Sequence, residues 1–228
     1  VDIHAHLLPG IDDGAKTIQD SIELMTGMQA LGIDQFIATP HVMSSVWENT
    51  RAGIEANFES TNKQLQEANQ NFSLSPAAEY LLDGTFLELL HREPLLTLKD
   101  NYVLVEMSYL SAPIQLYDII FEIQLEGYKP VLAHPERYLF YRNSFDEFKK
   151  LKRSGCLFQL NLASTVGYYG EAIVQITDKL LQKGFYNFVG SDVHHDNHVA
   201  AFEQKIKVKE LASLKEAIAN NQFFRMDG

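Results

Sequence analysis

Short, almost unbroken apolar runs recur along this chain, among them "YVLVEM" at 102–107 and "KPVLAH" at 129–134. A strand that is apolar at every position is covered on both faces, and strands covered on both faces belong to parallel sheets. The runs predict strands at 1–7, 35–40, 73–81, 102–107, 130–134, 157–162 and 187–191. Helical periodicity fills the intervals. In "TIQDSIELMTGMQALG", Thr17 with Asp20 forms a capping-box pattern and Gly32 stands where the helix should stop. In "APIQLYDIIFEIQLEG", Pro113 sits near the start and Gly127 at the end. Further helices are expected at 47–69, 144–154, 171–183 and 208–220. Strands alternating with helices, without a low-complexity linker or a repeat, predict one α/β domain spanning 1–228 around a parallel sheet, open or closed.

In a closed sheet of this kind the strand C-terminal ends gather on one face, where active sites form. What stands at those ends is unusual. The first strand ends in His4 and His6, the second in His41, the third in Glu79, the fourth in Glu106, the fifth in His134 followed by Arg137, and the last in Asp192 and His194. The loop after the first strand adds Asp12 and Asp13. Residues i and i+2 of a strand share a face, so "VDIHAH" puts His4 and His6 together with Asp2 beside them. By the same rule "GSDVHH" puts Asp192 with His194 and turns His195 away. Any one of these could be a satisfied polar group. Repeated placement of His, Asp and Glu at the ends of apolar strands points instead to a divalent metal centre.

The net charge of −11 argues against nucleic acid as a partner. No apolar run is long enough to span a membrane, so direct insertion is not expected. With one cysteine, Cys156, there is no internal disulfide. A reducing, cytoplasmic setting without a leader peptide is expected.

Taken in order, "DIHAHLLPGIDDGAKT", "IATPH", "AEY", "VEMS", "AHPERY", "NLAS" and "GSDVHH" resemble the polymerase-and-histidinol-phosphatase (PHP) superfamily. Within it they are similar to the bacterial protein tyrosine phosphatases encoded with capsule and exopolysaccharide genes. The resemblance implies a distorted (β/α)7 TIM-like barrel, the PHP fold, with three divalent metal ions. It implies that His4, His6, Glu79 and Asp192 hold the first metal. Glu79 bridges to a second held by Glu106 and His134, and Asp13, His41 and His194 hold a third. Manganese is the metal usually described, with iron, zinc or magnesium in analogous roles. The implied substrate is a phosphotyrosine protein, a membrane-anchored bacterial tyrosine kinase controlling polysaccharide export. Other readings are a different PHP phosphomonoesterase, such as a histidinol phosphatase, and a metal-containing regulatory module without turnover.

Arg137 offers a planar fork of donors suited to phosphate oxygens, its rival role being a surface salt bridge with Glu136 or a helix carboxylate. Arg137, His41 and Asp13 are the candidate catalytic residues, and Tyr80 and Trp47 are candidate aromatic walls at the mouth of the site. One departure stands out. The best-known relatives carry an arginine a few residues past the last metal-binding histidine, and "HHDNHVAAF" has none. His195 and His198 are left as substitutes or as exposed side chains. His91 reads as structural and Cys156 as core. The residue six past Cys156 is Leu162, not arginine, which rules out a Cys-x5-Arg thiol mechanism.

Overall fold

The computed structural model describes residues 1–226. All sheet pairings are parallel, in two groups. Three strands, β1 (Asp2–Ala5), β2 (Gln35–Ala38) and β4 (Ser73–Pro76), lie in the order β1-β2-β4. Six more lie in sequential order: β3 (His41–Val42), β5 (Glu79–Leu81), β6 (Tyr102–Glu106), β7 (Lys129–Ala133), β8 (Leu157–Asn161) and β9 (Phe188–Gly190).

The expected strands at 35–40 and 73–81 are each broken in two, and proline explains where. Pro40 has no N–H to give to a ladder. The β2–β4 pairing stops at Ala38 with Pro76 and resumes three residues later as β3–β5, with His41 opposite Glu79. Two backbone bonds span the step, Ala77 N to Ala38 O (2.7 Å) and Glu79 N to Pro40 O (3.1 Å). The two groups also meet at their other edges. Ala5 pairs in parallel with Val193, and Asp192 N donates to His4 O (2.7 Å). Asp2, expected beside the histidines, instead accepts from Ser191 N (3.0 Å) and from the Ser191 hydroxyl. It ties β1 to the segment after β9.

Seven helices lie between strands, α1 (Ile18–Ala30), α2 (Arg51–Glu67), α3 (Phe86–Arg92), α4 (Leu116–Leu125), α5 (Phe145–Arg153), α6 (Leu162–Val166) and α7 (Glu171–Gln182), and α8 (Asp196–Phe202) and α9 (Leu211–Asn220) follow β9. Thr17 caps α1 with the reciprocal Asp20 bond in place. Thr50 caps α2 through Gly53 N (3.1 Å), so that helix starts four residues later than periodicity suggests and leaves Trp47 on a loop. The inner sides of the helices cover the strands; α4, for example, buries Leu116, Ile119, Ile120 and Ile123. Among the described residues no helix is long and apolar enough to cross a membrane.

Candidate metal centre

His4 and His6 project into one space at the end of β1, with their Nε2 atoms 3.2 Å apart. Each imidazole is aimed from behind. His4 Nδ1 lies 2.8 Å from Gln159 Oε1 on β8, and His6 Nδ1 lies 2.8 Å from Asp12 Oδ2. Those oxygens only accept, so both Nδ1 atoms carry the protons and both Nε2 lone pairs face inward. Carboxylates meet them there. Glu79 Oε2 is 3.2 Å from His4 Nε2 and 3.5 Å from His6 Nε2, and Asp192 Oδ1 is 3.2 and 3.3 Å from the same two atoms.

Two further groups adjoin this one. His41 Nδ1 lies 3.1 Å from Glu79 Oε2 and 3.0 Å from Glu106 Oε1, while His134 Nε2 lies 3.1 Å from Glu79 Oε1. Asp13 Oδ1 lies 3.5 Å from His41 Nε2 and 3.4 Å from His194 Nε2. The His194 Nδ1 atom is 2.8 Å from Asp192 O, which fixes its proton on that side and its lone pair toward Asp13. In three sets, ligand-type atoms come within 4.8 Å of one another. They are His4–His6–Glu79–Asp192, His41–Glu79–Glu106 and His6–Asp13–His41–His194. His6 thus reaches two of them, and His134 approaches through Glu79.

The chemistry of this crowd is that of a ligand shell. Among the described residues His41 Nδ1, Glu79 Oε2, Glu106 Oε1 and His134 Nδ1 are buried without a hydrogen-bond partner. Orphaned polar atoms of this kind are costly in an interior. Burial, followed by the Glu79 carboxylate, pushes Glu106 up to about 7. Burial and His6 oppose charge on His41, yet Glu79 and Glu106 carry it up to about 10. Carboxylates and imidazole lone pairs pressed together away from water fit divalent cations, which would pair with all of them at once.

Backbone strain sits at the same place. His134 (φ 35°) and Asp192 (φ 55°), just past β7 and β9, both occupy the left-handed region. Asp192 and His194 are therefore not brought together by strand alternation, as the spacing suggested. A left-handed turn and the bond from His194 Nδ1 to Asp192 O do it instead. His195 is exposed, and His198 is buried. Burial, then His195, depress His198 to about 4, so it is neutral and its Nδ1 accepts from His194 N (3.2 Å). It supports the loop that carries His194.

Arg137 ends the first of two short 3-10 turns after β7, Pro135–Arg137. Its Nη1 donates to Asp192 Oδ2 (2.7 Å), and its guanidinium carbon lies 4.7 and 4.1 Å from the ring centres of Tyr109 and Tyr169. Glu136 is not its partner. That carboxylate is buried and accepts from Asn161 N, the Ser164 hydroxyl and the Tyr186 hydroxyl. A cavity of about 250 Å³ opens over the cluster, lined by Arg137, Tyr109, Trp47 and Met43 together with Asp13, His41, Glu106, His134, Asp192 and His194.

Of the two expected aromatic walls, Trp47 lines this cavity and Tyr80 does not. Glu79 points to the cluster, so strand alternation sends Tyr80 the opposite way. Tyr80 is buried against Phe86 and its hydroxyl accepts from Leu96 N (2.8 Å). Tyr109, three residues past Glu106, takes the place expected for it. Tyr109 and Tyr169 escaped the sequence reading, as did the orienting roles of Gln159 and Asp12. A pair of aromatics in "GYYG" and one in "VEMSYL" were the available signals. His91 is half exposed near Glu122 (3.6 Å), on the surface. Cys156 is buried, and burial holds its thiol at about 12.

Residues 1–210 match the sequence model of a family described as capsular polysaccharide synthesis, CpsB/CapC. The chain is 32% identical over 196 residues to the tyrosine-protein phosphatase YwqE of Bacillus subtilis (strain 168), covering 86% of this chain and 77% of that protein. It is 28% identical over 203 residues to the tyrosine-protein phosphatase CpsB of Streptococcus pneumoniae, covering 86% and 83%. A solved structure from work on these two proteins, described as unique metal-dependent tyrosine phosphatases, superposes with a TM-score of 0.82 at 30% identity over 94% of this chain and 86% of that one. A histidinol phosphate phosphatase from Lactococcus lactis, solved with zinc, L-histidinol and phosphate, shares the fold at a TM-score of 0.55 and 12% identity, over 95% and 93%.

Proposed function

This chain belongs to the capsular polysaccharide synthesis CpsB/CapC family, and from that premise we propose that it hydrolyses phosphotyrosine as a metal-dependent protein tyrosine phosphatase. The observation that carries the reading is a buried crowd of inward-facing lone pairs, with orphaned atoms on His41, Glu79, Glu106 and His134, opening beside the Arg137 guanidinium.

We assign His4, His6, Glu79 and Asp192 to a first divalent cation, and Glu79, Glu106 and His134 to a second. Asp13, His41 and His194 take a third, with His6 within reach of it. Manganese is the proposed metal. When bound, such ions supply charge neutralisation for a phosphate dianion and a water of lowered pKa. The protein's own side chains do the rest. One edge of Arg137 is spent on Asp192, and its remaining N–H donors line the cavity where phosphate oxygens would lie. Gln159, Asp12 and the Asp192 carbonyl keep three imidazole lone pairs turned inward. Trp47 and Tyr109 offer faces to an aryl ring and exclude water around it. A tyrosine leaving group departs as a phenolate of pKa about 10, so a site without a dedicated acid favours aryl esters over alkyl ones.

The same reading covers the finer architecture and setting. The Ala5–Val193 pairing and the backbone bonds across Pro40 support a distorted (β/α)7 barrel, which we take as a single domain over 1–228. The proposed partner is a membrane-anchored bacterial tyrosine kinase met on the cytoplasmic side, and the proposed output is control of polysaccharide synthesis. The test is hydrolysis by the manganese-loaded protein of p-nitrophenyl phosphate, phosphotyrosine peptides, phosphoserine peptides and histidinol phosphate. The aryl esters should give the highest kcat/KM, and thorough chelation should abolish turnover. If histidinol phosphate is the best of the four, the tyrosine reading fails and a histidinol phosphatase replaces it. No turnover of any of them leaves the regulatory module.

A further inference from the structure

We propose that a second, apolar cavity beside the catalytic one is a specificity subsite. It would hold an apolar side chain of the substrate polypeptide that lies within a few residues of the phosphotyrosine. The inference rests on the phosphatase reading above and adds to it a sequence preference.

The cavity measures about 450 Å³ and is lined by Leu81, Leu82, Gly84, Ala112, Pro113 and Ile114, with Ile119 behind them. That is within the range of sites that bury a small ligand and is larger than one leucine or isoleucine side chain needs. No lysine, arginine or histidine lines it, and Asp83 is its one charged residue. The Asp83 carboxylate is already engaged by the Ser44 and Thr85 hydroxyls. A phosphate or acidic group meets no cationic side chain there, only the uncharged Ser108, Ser111 and Gln115, whereas an apolar group meets a mostly apolar wall.

Its position says what fills it. The two cavities share the segment after β6, and the strand that walls the apolar one also carries Glu79 into the metal cluster. Glu79 opens β5 and turns into the metal cluster, while Leu81 at the end of that strand and Leu82 to Gly84 beyond it form one wall of the apolar cavity. After β6, Tyr109 lines the catalytic cavity, and its neighbour Ser108 lines the apolar one. On the other side, Met43 belongs to the catalytic cavity and the adjoining Ser44 is bonded to Asp83 of the apolar one. A polypeptide whose phosphotyrosine enters over Arg137 continues in both directions from the reacting residue, and the rim on the Ser108–Tyr109 side joins the catalytic cavity to the apolar one. An extended segment advances about 3.3 Å per residue, so its near neighbours pass over the rim.

The rim itself is apolar and uncovered. Leu110 is 89% and Ile114 fully exposed, with Val46 at 64%. Exposed apolar side chains at the mouth of a site mark a place where something docks, and Leu110 and Val46 adjoin in sequence Tyr109 and Trp47, which line the catalytic cavity. Ile114 contributes nothing to the core, so the fold gains nothing from keeping it apolar.

Two variants outside the catalytic machinery test this. Ile114→Asp puts a charge on the rim. Gly84→Trp fills the cavity, and a side chain at Gly84 meets no atom within 4 Å of its Cβ. Phosphotyrosine peptides carrying a single leucine at each position from four before to four after the phosphotyrosine are compared with the serine-substituted parent. For wild type, leucine in at least one position should raise kcat/KM by about tenfold, the scale set by burying one aliphatic side chain. Both variants should lose that gain while turning over p-nitrophenyl phosphate within about twofold of wild type. Leucine peptides no better than the parent, or variants that keep the preference, overturn the subsite. An equal loss on p-nitrophenyl phosphate overturns it too, by showing that the change acts on the catalytic cavity. If wild type sediments as a dimer that Ile114→Asp dissociates with peptide preference intact, the face belongs to a second copy of this chain and the subsite is wrong. Absence of all phosphatase turnover is a separate failure, of the phosphatase reading. The subsite is then decided by fluorescence anisotropy with the labelled leucine peptide, whose equal affinity for wild type and Ile114→Asp rejects it.

Discussion

Asp192 is shared between Arg137 and the histidines: its Oδ2 lies 2.7 Å from Arg137 Nη1, while its Oδ1 lies 3.2 Å from His4 Nε2 and 3.3 Å from His6 Nε2. Asn161 Nδ2 adds a second donor to Oδ2 at 2.8 Å. One carboxylate therefore fixes the position of the Arg137 guanidinium relative to the His4–His6 cluster. It does so from a left-handed backbone held by Asp192 N donating to His4 O. The spacing of the two is set through this residue.

Arg137→Ala should lower kcat/KM by at least about tenfold, because a hydrogen bond to a charged group contributes roughly 1.5–3 kcal/mol. Asn161 still satisfies Asp192 Oδ2 in that variant, so bound metal, measured by elemental analysis, should stay at the wild-type level. Arg137→Lys should recover only part of the loss, since one ammonium cannot serve Asp192 and a phosphate with the geometry of a fork. Wild-type kinetics in metal-replete Arg137→Ala would make the residue structural.

Tyr169→Ala should weaken catalysis without touching the proposed metal ligands. The Tyr169 ring lies 4.1 Å from the guanidinium carbon, and its hydroxyl is 3.2 Å from Asn161 Nδ2. Removing one face of the stack costs roughly 0.5–2 kcal/mol, which predicts a fall in kcat/KM of about two- to thirtyfold. Tyr169→Phe keeps the stack and should stay within about threefold. Equal loss in both variants would move the effect from the ring to the hydroxyl.

The ligand cluster was readable because its residues follow apolar runs, and the end of a buried strand is the one place where a polar side chain recurs without cost to the core. His4, His6, His41, Glu79, Glu106, His134, Asp192 and His194 all stand there, and the structure brings them together. What depends on chain direction at one residue was not readable. The left-handed turn at Asp192 leaves no mark on residue spacing. Pro40 and Pro76 split two strands at a point that hydrophobicity alone runs through. Tyr80 and Tyr109 both stand an odd number of residues past a glutamate, and what separates them is that Tyr80 is still within β5 whereas Tyr109 lies beyond the end of β6, a boundary the residue pattern does not mark. Helices α6 and α8, at five and seven residues, are too short for periodicity to register.

Metal removal should lower stability as well as activity. Without cations the cluster leaves Glu79, Glu106 and Asp192 facing one another at full burial, with orphaned atoms that cations would satisfy. Chelated protein should unfold at a temperature several degrees lower than the manganese-loaded form in a thermal scan, and manganese addition should restore both Tm and turnover. A thiol reagent should leave folded enzyme active, because Cys156 is 2% exposed and burial holds its thiol at about 12, far from the reactive thiolate. Full activity after exhaustive chelation would exclude the metal mechanism.

Gly190→Ala should damage the centre although position 190 carries no ligand. A Cβ there would come within 2.6 Å of His4 Cβ and 2.7 Å of Gln159 Nε2. Those are the imidazole at the heart of the cluster and the amide that fixes its proton through His4 Nδ1. The backbone at 190 pairs with Asn161 on β8 and cannot retreat without breaking the ladder. The added methyl must therefore push His4 or Gln159, turning the Nε2 lone pair away from Glu79 and Asp192. The expected result is metal content well below wild type and kcat down by more than tenfold, a loss consistent with displacing a ligand's supporting partner. Gly84→Ala, where a Cβ meets open space, is the matched control and should keep both metal and turnover. Wild-type metal content in Gly190→Ala would mean that His4 has room to move that the packing around it denies.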